Sequence, residues 1–292
     1  MSILSTIEVN EICKHLGESA PKNIQEVSGG SIHKAFKIDF ESRNIFIKIN
    51  RAKKLFLSFE KYCLNSLEKY ANKEYLIIPN VIDYFKFKNS EILIMEWIDM
   101  TNNDQTKLGR GLAEIHKISQ ESHMGRFGYE IDGFIGKSDQ IQGWEINWAD
   151  CFINLRLEPQ LRLLQGKVLN LDIKNKLKSK ISKCLLKHSP KISLVHGDLW
   201  SGNIGVHKSS KGVLFDPACW WADSEVDIAM TRLFGGFNYE FYDEYNKIIP
   251  KKEGLEERIF IYNFYHILNH ANIFGGNYIT EVKNYTKRIM NL

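Results

Sequence analysis

Proline is scarce in this chain, with 6 in 292 residues, and no segment is repetitive or jointly rich in Pro, Gly and Ser. That removes the collagenous, low-complexity and linker-joined classes. Cysteine is scarce as well. The five, Cys13, Cys63, Cys151, Cys184 and Cys219, are odd in number and form no Cys-x-x-Cys pair, so they indicate neither a disulfide framework nor a four-ligand zinc site and fit a reducing compartment. Long apolar runs are missing: stretches such as Ile92 to Met95 fall far short of a membrane span. Met1 to Asn10 also lacks the basic and apolar regions of a secretory signal. The expectation is a soluble, unexported, cytoplasmic protein with no membrane partner. Arginine is the last scarcity. Of 39 Lys+Arg against 35 Asp+Glu, net +4, only 9 are Arg, so the strongly basic face of a dedicated nucleic-acid binder is absent.

What remains is an ordinary globular composition, 43% hydrophobic and 25% charged. The length suits one large domain or two lobes sharing a cleft, and a chain of this size buries roughly three quarters of its unfolded surface. Ile3, Leu4, Ile7, Ile12 and Leu16 have mostly helical spacing, ended by Pro21. The period then changes to alternation. Ala35 to Phe40 and Ile45 to Ile49, separated by Glu41-Ser42-Arg43-Asn44, read as a β-hairpin. Residues 52 to 70 return to helical spacing, and two strand-like runs follow at Val81 to Phe87 and Ile92 to Ile98. Beyond Asp99 the pattern is mainly helical, with stripes at Leu108, Leu112, Ile115 and Ile118, at Leu155, Leu161 and Leu164, and at Ile173, Leu177, Ile181 and Leu185. The fold class is therefore α+β in two lobes: residues 1–98, a small antiparallel sheet with one helix, and residues 99–292, mostly helical. The lysines from Lys174 to Lys187 read as one solvated helix face.

The strongest local signal is His196-Gly197-Asp198-Leu199-Trp200-Ser201-Gly202-Asn203, followed by Val213-Leu214-Phe215-Asp216. Asn203 lies five residues after Asp198, and Asp216 thirteen after Asn203. That spacing is how kinase catalytic loops set a base beside an acceptor hydroxyl and two oxygen ligands on Mg²⁺. Phosphoryl transfer needs hard oxygen ligands to hold the metal on the phosphates and a carboxylate to orient the hydroxyl and take its proton. Further parts stand in the matching order. Ser28-Gly29-Gly30-Ser31 opens the hairpin, where bare backbone can approach ATP phosphates. Lys48 stands on the second hairpin strand in the place of a phosphate-binding lysine, and Glu60 on the next helix can pair with it. The strand ending at Glu96 and Ile98 offers backbone to adenine, with Met95 packed behind. Other residues take plainer roles: packing or hydrogen bonding for His266 and His270, a small buried position for Cys219, and bracing of the catalytic loop for Asp227.

The sequence resembles the fructosamine kinase (ketosamine 3-kinase) family, a branch of the protein-kinase-like fold shared with aminoglycoside phosphotransferases and choline kinases. The likeness runs through Phe46-Ile47-Lys48-Ile49-Asn50, Leu93-Ile94-Met95-Glu96, Gly109 to His116, Arg156-Leu157-Glu158-Pro159-Gln160, His196 to Asn203, Asp216-Pro217-Ala218, Leu233 to Phe237, and Asn269-His270 to Phe274-Gly275-Gly276. The Leu-Trp-Ser-Gly filling of the His-Gly-Asp motif and the two Phe-Gly-Gly motifs point to this family in particular. The resemblance implies ATP- and Mg²⁺-dependent phosphorylation of the sugar 3-hydroxyl of ketosamines, free or on protein lysines, as a deglycation step. It implies Asp198 as base, Asn203 and Asp216 as metal ligands, Lys48 and Glu60 as phosphate clamp, and Trp200 as a wall of the sugar pocket, with Trp144 and Trp148 as further aromatics available to it. Ser31 stands where many relatives carry a cysteine, so redox-controlled dimerisation is not expected, and the chain is read as a monomer or weak homodimer. Trp221-Ala222-Asp223-Ser224-Glu225 and Asp132-Gly133 also depart from the family pattern, which leaves acceptor detail open. The other readings are a kinase of another hydroxyl acceptor, such as an amino alcohol or aminoglycoside, and a nucleotide-binding pseudokinase. A protein kinase is disfavoured because Asp216-Pro217-Ala218 replaces Asp-Phe-Gly.

Overall fold

The computed structural model describes residues 4–27 and 33–292. The turn Ser28 to Ser31, with Gly29, Gly30 and Ser31, therefore lies outside the described residues. Ser5 opens helix α1 (Thr6–Leu16) with a capping box: its hydroxyl accepts from the Glu8 amide and the Glu8 carboxylate accepts from the Ser5 amide. The helix ends at Gly17, which takes the left-handed conformation at φ 67°, four residues ahead of the expected stop at Pro21.

Strands β1 (Asn23–Glu26), β2 (Lys34–Asp39) and β3 (Asn44–Asn50), helix α2 (Phe56–Glu68), and strands β4 (Leu76–Ile77), β5 (Val81–Phe87) and β6 (Ser90–Glu96) follow. Five of the strands form an antiparallel sheet in the order β1-β2-β3-β6-β5. Alternation along central β3 decides what reaches the cleft. Ile45, Ile47 and Ile49 join Ile92, Ile94, Ile12 and Leu4 in a core on one face. Phe46, Lys48 and Asn50 therefore occupy the other face. On β6 the cleft-side residues Leu93 and Met95 join a second core with Leu57, Cys63 and Leu67 of α2.

The rest of the chain holds α3 (Thr106–Ser119), β7 (Phe127–Tyr129), β8 (Gly133–Ile135), β9 (Ser138–Gln140), β10 (Gly143–Glu145), α4 (Trp148–Cys151), a π-helical stretch Phe152–Leu157, α5 (Glu158–Leu164) and α6 (Leu171–Leu185). Then come β11 (Ile192–Val195), a 3₁₀ turn Ser201–Asn203, β12 (Ile204–Val206), β13 (Gly212–Leu214), β14 (Trp220–Asp223), α7 (Glu225–Leu233), α8 (Tyr239–Ile248), α9 (Leu255–Phe274) and α10 (Asn277–Met290). The mainly helical region thus contains short strands that hydropathy did not reveal, β10-β7-β14-β11 forming one sheet and β12-β13-β4 another. The stripes are corrected in two places. Ile118 is exposed at the end of α3. Lys174 is buried rather than solvated, its ammonium 2.9 Å from Glu158 Oε1 and 3.0 Å from Gln165 Oε1. Gly133 has a packing reason, since a Cβ there would stand 2.1 Å from Cζ of Phe59.

Candidate active site

Strand β11 is buried at all four residues, and burial continues through His196 and Gly197 before the chain opens at half-buried Asp198. Gly197 follows with φ 82°, in a place where a Cβ would lie 2.1 Å from the Ala218 carbonyl oxygen; only glycine fits. His196 is buried and neutral in character. Its Nε2 donates to the Phe215 carbonyl (3.0 Å) and its Nδ1 accepts from the Asp198 amide (3.3 Å), which fixes the tautomer. Asp227, on α7, accepts from the amides of His196 (2.7 Å) and Gly197 (2.9 Å) and meets His116 Nε2 at 3.1 Å; Tyr245 lies 2.9 Å from the other His116 nitrogen. Burial works against the Asp227 charge, but His116, His196 and the Gly197 amide outweigh it and hold the carboxyl below its ordinary value. The loop is braced from α7, as its sequence suggested.

Asp198, Asn203 and Asp216 line a cavity of about 310 Å³ together with Lys48 of β3, Glu60 of α2 and Met95 of β6. The Asn203 amide donates to the Asp198 carbonyl (2.9 Å) and carboxylate (3.2 Å) and reaches the Asp216 carbonyl at 3.5 Å. Burial, and then the Asp216 charge, push the Asp198 carboxyl up to about 7, with the Asn203 hydrogen bond opposing them. Asp216 stands at φ 58°, a strained conformation for a non-glycine residue and one that concentrates at functional sites.

Lys48 Nζ lies 2.7 Å from Glu60 Oε1 and 2.9 Å from Asp216 Oδ1. Burial disfavours its charge, yet these carboxylates outweigh it and raise its pKa. The effect on the two acids differs. Asp216 is held below its ordinary value because Lys48 overcomes burial, whereas Glu60, deeper, is raised by burial to about 7 despite Lys48. The lysine thus stays cationic, held between the two carboxylates.

Glu96 and Ile98 also line the cavity. The Glu96 amide donates to the Asn80 carbonyl (3.1 Å). Trp200 faces the same space beside Asp198, and Gly202 makes room for its indole, since a Cβ there would lie 2.2 Å from Cη2. The other two tryptophans are not part of this wall. Trp148 is buried, stacked on Trp220 and donating to Tyr262 (2.8 Å), while Trp144 lies on β10. Cys219 is fully buried against Cys63, and burial raises its thiol, which suits packing rather than redox chemistry. His266 is fully buried and His270 Nδ1 donates to the His266 carbonyl (2.7 Å); among the described residues neither belongs to a group of three metal-ligating side chains. His33 and Phe134 were missed. His33, two residues after Ser31 in the sequence, lines the cavity with its imidazole pushed down to about 4 by burial and by Lys48. Phe134 reaches it from β8, packed 4.3 Å from the Phe56 ring. Only the adjacency of His33 to Gly29 and Gly30 would have signalled it.

The donors fit a divalent cation. Asp216 offers a carboxylate, and Asn203, with its NH₂ turned to Asp198, keeps an amide oxygen that accepts no hydrogen bond among the described residues. The group His188, Asp223 and Glu225 elsewhere is already engaged by Tyr262 and Arg258.

A Lys–Glu pair under an antiparallel sheet, facing an Asp-x-x-x-x-Asn loop and a distal Asp, defines a phosphotransferase of the protein-kinase-like fold. Within that class the chain belongs to the fructosamine kinase family, whose model matches residues 5–292. A Vibrio parahaemolyticus protein named probable ketoamine kinase is 35% identical over 261 residues, 88% of each chain. The chloroplastic protein-ribulosamine 3-kinase of Arabidopsis thaliana is 34% identical over 261 residues, 87% of this chain and 78% of that one. Among solved structures, a Haemophilus somnus protein named for fructosamine-3-kinase superposes with TM-score 0.84 at 27% identity over 96% of each chain. An aminoglycoside phosphotransferase, APH(4)-Ia, shares the fold alone, at TM-score 0.67 and 14% identity over 98% of each.

Proposed function

We propose that this kinase transfers the γ-phosphoryl group of ATP to the 3-hydroxyl of ketosamines, free or carried on protein lysines, as a cytoplasmic deglycation step. The observation that carries the reading is the Asp198 carboxylate held by Asn203 (3.2 Å) in the cavity that Lys48, Asp216 and Trp200 also line, where burial pushes its carboxyl up to about 7. A base poised near neutrality is matched to taking a hydroxyl proton. In the reaction the acceptor oxygen bonds to the γ-phosphorus, the bond from that phosphorus to the β,γ-bridging oxygen breaks, ADP leaves, and the hydroxyl proton passes to Asp198. Lys48, oriented by Glu60, holds the phosphates, and Trp200 presents an aromatic face to a neutral sugar that offers few charges to grip. Asp216 and Asn203 would hold Mg²⁺, which neutralises charge on the phosphates when bound. The Glu96 carbonyl and Ile98 read adenine over Met95, and Gly29, Gly30 and Ser31, outside the described residues, are assigned to the phosphates on their place in the sequence alone.

The test is MgATP turnover against lysine adducts of fructose, ribulose and erythrulose, with choline and kanamycin alongside and the site of phosphorylation read by phosphorus NMR. Adduct-dependent product at the 3-hydroxyl, reduced at least a thousandfold in Asp198→Asn, is the expected result; general-base and electrostatic losses together span that range. Turnover confined to choline or kanamycin would replace this reading with the other-acceptor kinase.

A further inference from the structure

Helix α2 carries Glu60, yet it begins without a cap of its own. Its N-cap position is Leu55, no side chain there accepts a hydrogen bond, and its first turn contains no acid. The first-turn amides of such a helix must find acceptors elsewhere, and a carboxylate is the favoured one at the positive end of the helix. Glu91, on β6, supplies it. This side chain is buried at 2% exposure, and its carboxylate accepts from the Leu57 amide at 3.3 Å through Oε2 and the Ser58 amide at 3.1 Å through Oε1. The same two oxygens accept from Asn50 Nδ2 (2.6 Å) and from the Tyr84 hydroxyl (2.7 Å). Asn50 is the cross-strand neighbour of Glu91 and stands two residues beyond Lys48 on the same face of β3. It also shapes the connection into α2, donating to the Lys54 carbonyl and accepting from the Ala52 amide. One buried carboxylate thus joins the strand of Lys48 to the first turn of the helix of Glu60.

We infer that Glu91 is a positioning residue for nucleotide binding: by capping α2 from β6 and holding Asn50, it sets the distance between Lys48 and Glu60. It touches neither nucleotide nor acceptor, and it acts through that ion pair. The inference rests on the kinase reading, but not on which acceptor is phosphorylated. Freed from Glu91, the first turn of α2 frays, and Glu60, three residues after Leu57, loses its fixed place beside Lys48.

The experiment is MgATP affinity measured directly, without acceptor, for the wild type, Glu91→Gln, Glu60→Gln and the double variant. Glu91→Gln keeps the side chain's size but presents an NH₂ to a ring of donors, and a roughly tenfold weakening of MgATP is expected, on the scale of one charge-assisted hydrogen bond network loosened. If Glu91 works through Glu60, the double variant is no weaker than Glu60→Gln alone. Fully additive losses, or unchanged affinity in a folded Glu91→Gln protein, would overturn the inference. Hydrogen exchange on the wild type needs no variant: the Leu57 and Ser58 amides should exchange as slowly as mid-helix α2 amides, and exchange at the rate of a frayed end would also overturn it. A wild-type protein that binds no MgATP would fail at the earlier step, removing the kinase reading and this inference with it.

Discussion

Burial and the nearby Asp216 charge hold the Asp198 carboxyl at about 7 in the folded chain, against an ordinary aspartate value near 4. Between those two values the folded state binds the proton that the unfolded state has released, so stability falls as pH rises through this window and stays reduced above it. Below about pH 4 both states are protonated and no penalty remains. Asp198→Asn removes the carboxylate, and the nucleotide-free variant is therefore expected to melt higher than the wild type at pH 8, by roughly 2–4 °C for each kcal/mol relieved, with the gap closing towards pH 4. Equal melting temperatures at pH 8 would contradict a destabilised base. This residue was legible from its motif, as were Lys48 and Glu60 from their order along the chain. Glu91 was not, because a glutamate in Ser90-Glu91-Ile92 reads as an outward polar position at the start of a strand; only the packed helix end above it makes it buried and four-fold bonded.

Among the elements, α3 illustrates what periodicity conveys and what it leaves out. Its apolar stripe at Leu108, Leu112 and Ile115 was readable and is buried, but the glycines beside it, Gly109 and Gly111, look like helix weaknesses. They are close approaches: a Cβ on Gly109 would stand 2.1 Å from the Phe241 carbonyl oxygen of α8, and one on Gly111 2.3 Å from Cγ of Leu76. Contact between α3 and α8 brings Tyr245 to His116 and so supports the Asp227 brace under the catalytic loop. Gly109→Ala gains about 1 kcal/mol of intrinsic helix preference, yet backbone cannot yield as a side chain end can, and overpacking of this kind costs about 1–3 kcal/mol. The expected net result is a lower urea midpoint with a weaker kcat; a raised midpoint would show that α8 moves freely. Strands β7 to β10 stayed illegible for a different reason, being three residues each, too short for alternation to register, with glycine at Gly128, Gly133 and Gly143.

At the scale of the molecule, the change from alternating to helical spacing near Asp99 marks where the sheet gives way to helices, but it conceals how firmly the two parts are joined. Helix α2 is the joint. The Tyr62 hydroxyl bonds to Glu130, the Tyr129 hydroxyl donates to Ser66 at 3.0 Å, and the Cys219 amide meets the Cys63 sulfur at 3.3 Å. Phe56 and Phe59 both pack on Phe134, and Lys54 lies 2.5 Å from Asp139. One apolar core continues from Leu57, Leu64 and Leu93 through Leu108 and Leu112 to Phe264 and Leu268. Separating the lobes would expose the α2 face that fills this core, so the two parts are expected to unfold together. Calorimetry is therefore expected to give a single endotherm, with calorimetric and van't Hoff enthalpies in agreement, displaced upward as a whole by MgATP. Two resolved transitions, with only one moved by nucleotide, would mean that the lobes fold independently and that α2 belongs to the sheet alone. A helix fixed on both sides in this way keeps Glu60 against Lys48 without help from a mobile segment, which is consistent with a phosphotransferase that carries no Asp-Phe-Gly switch after its catalytic loop.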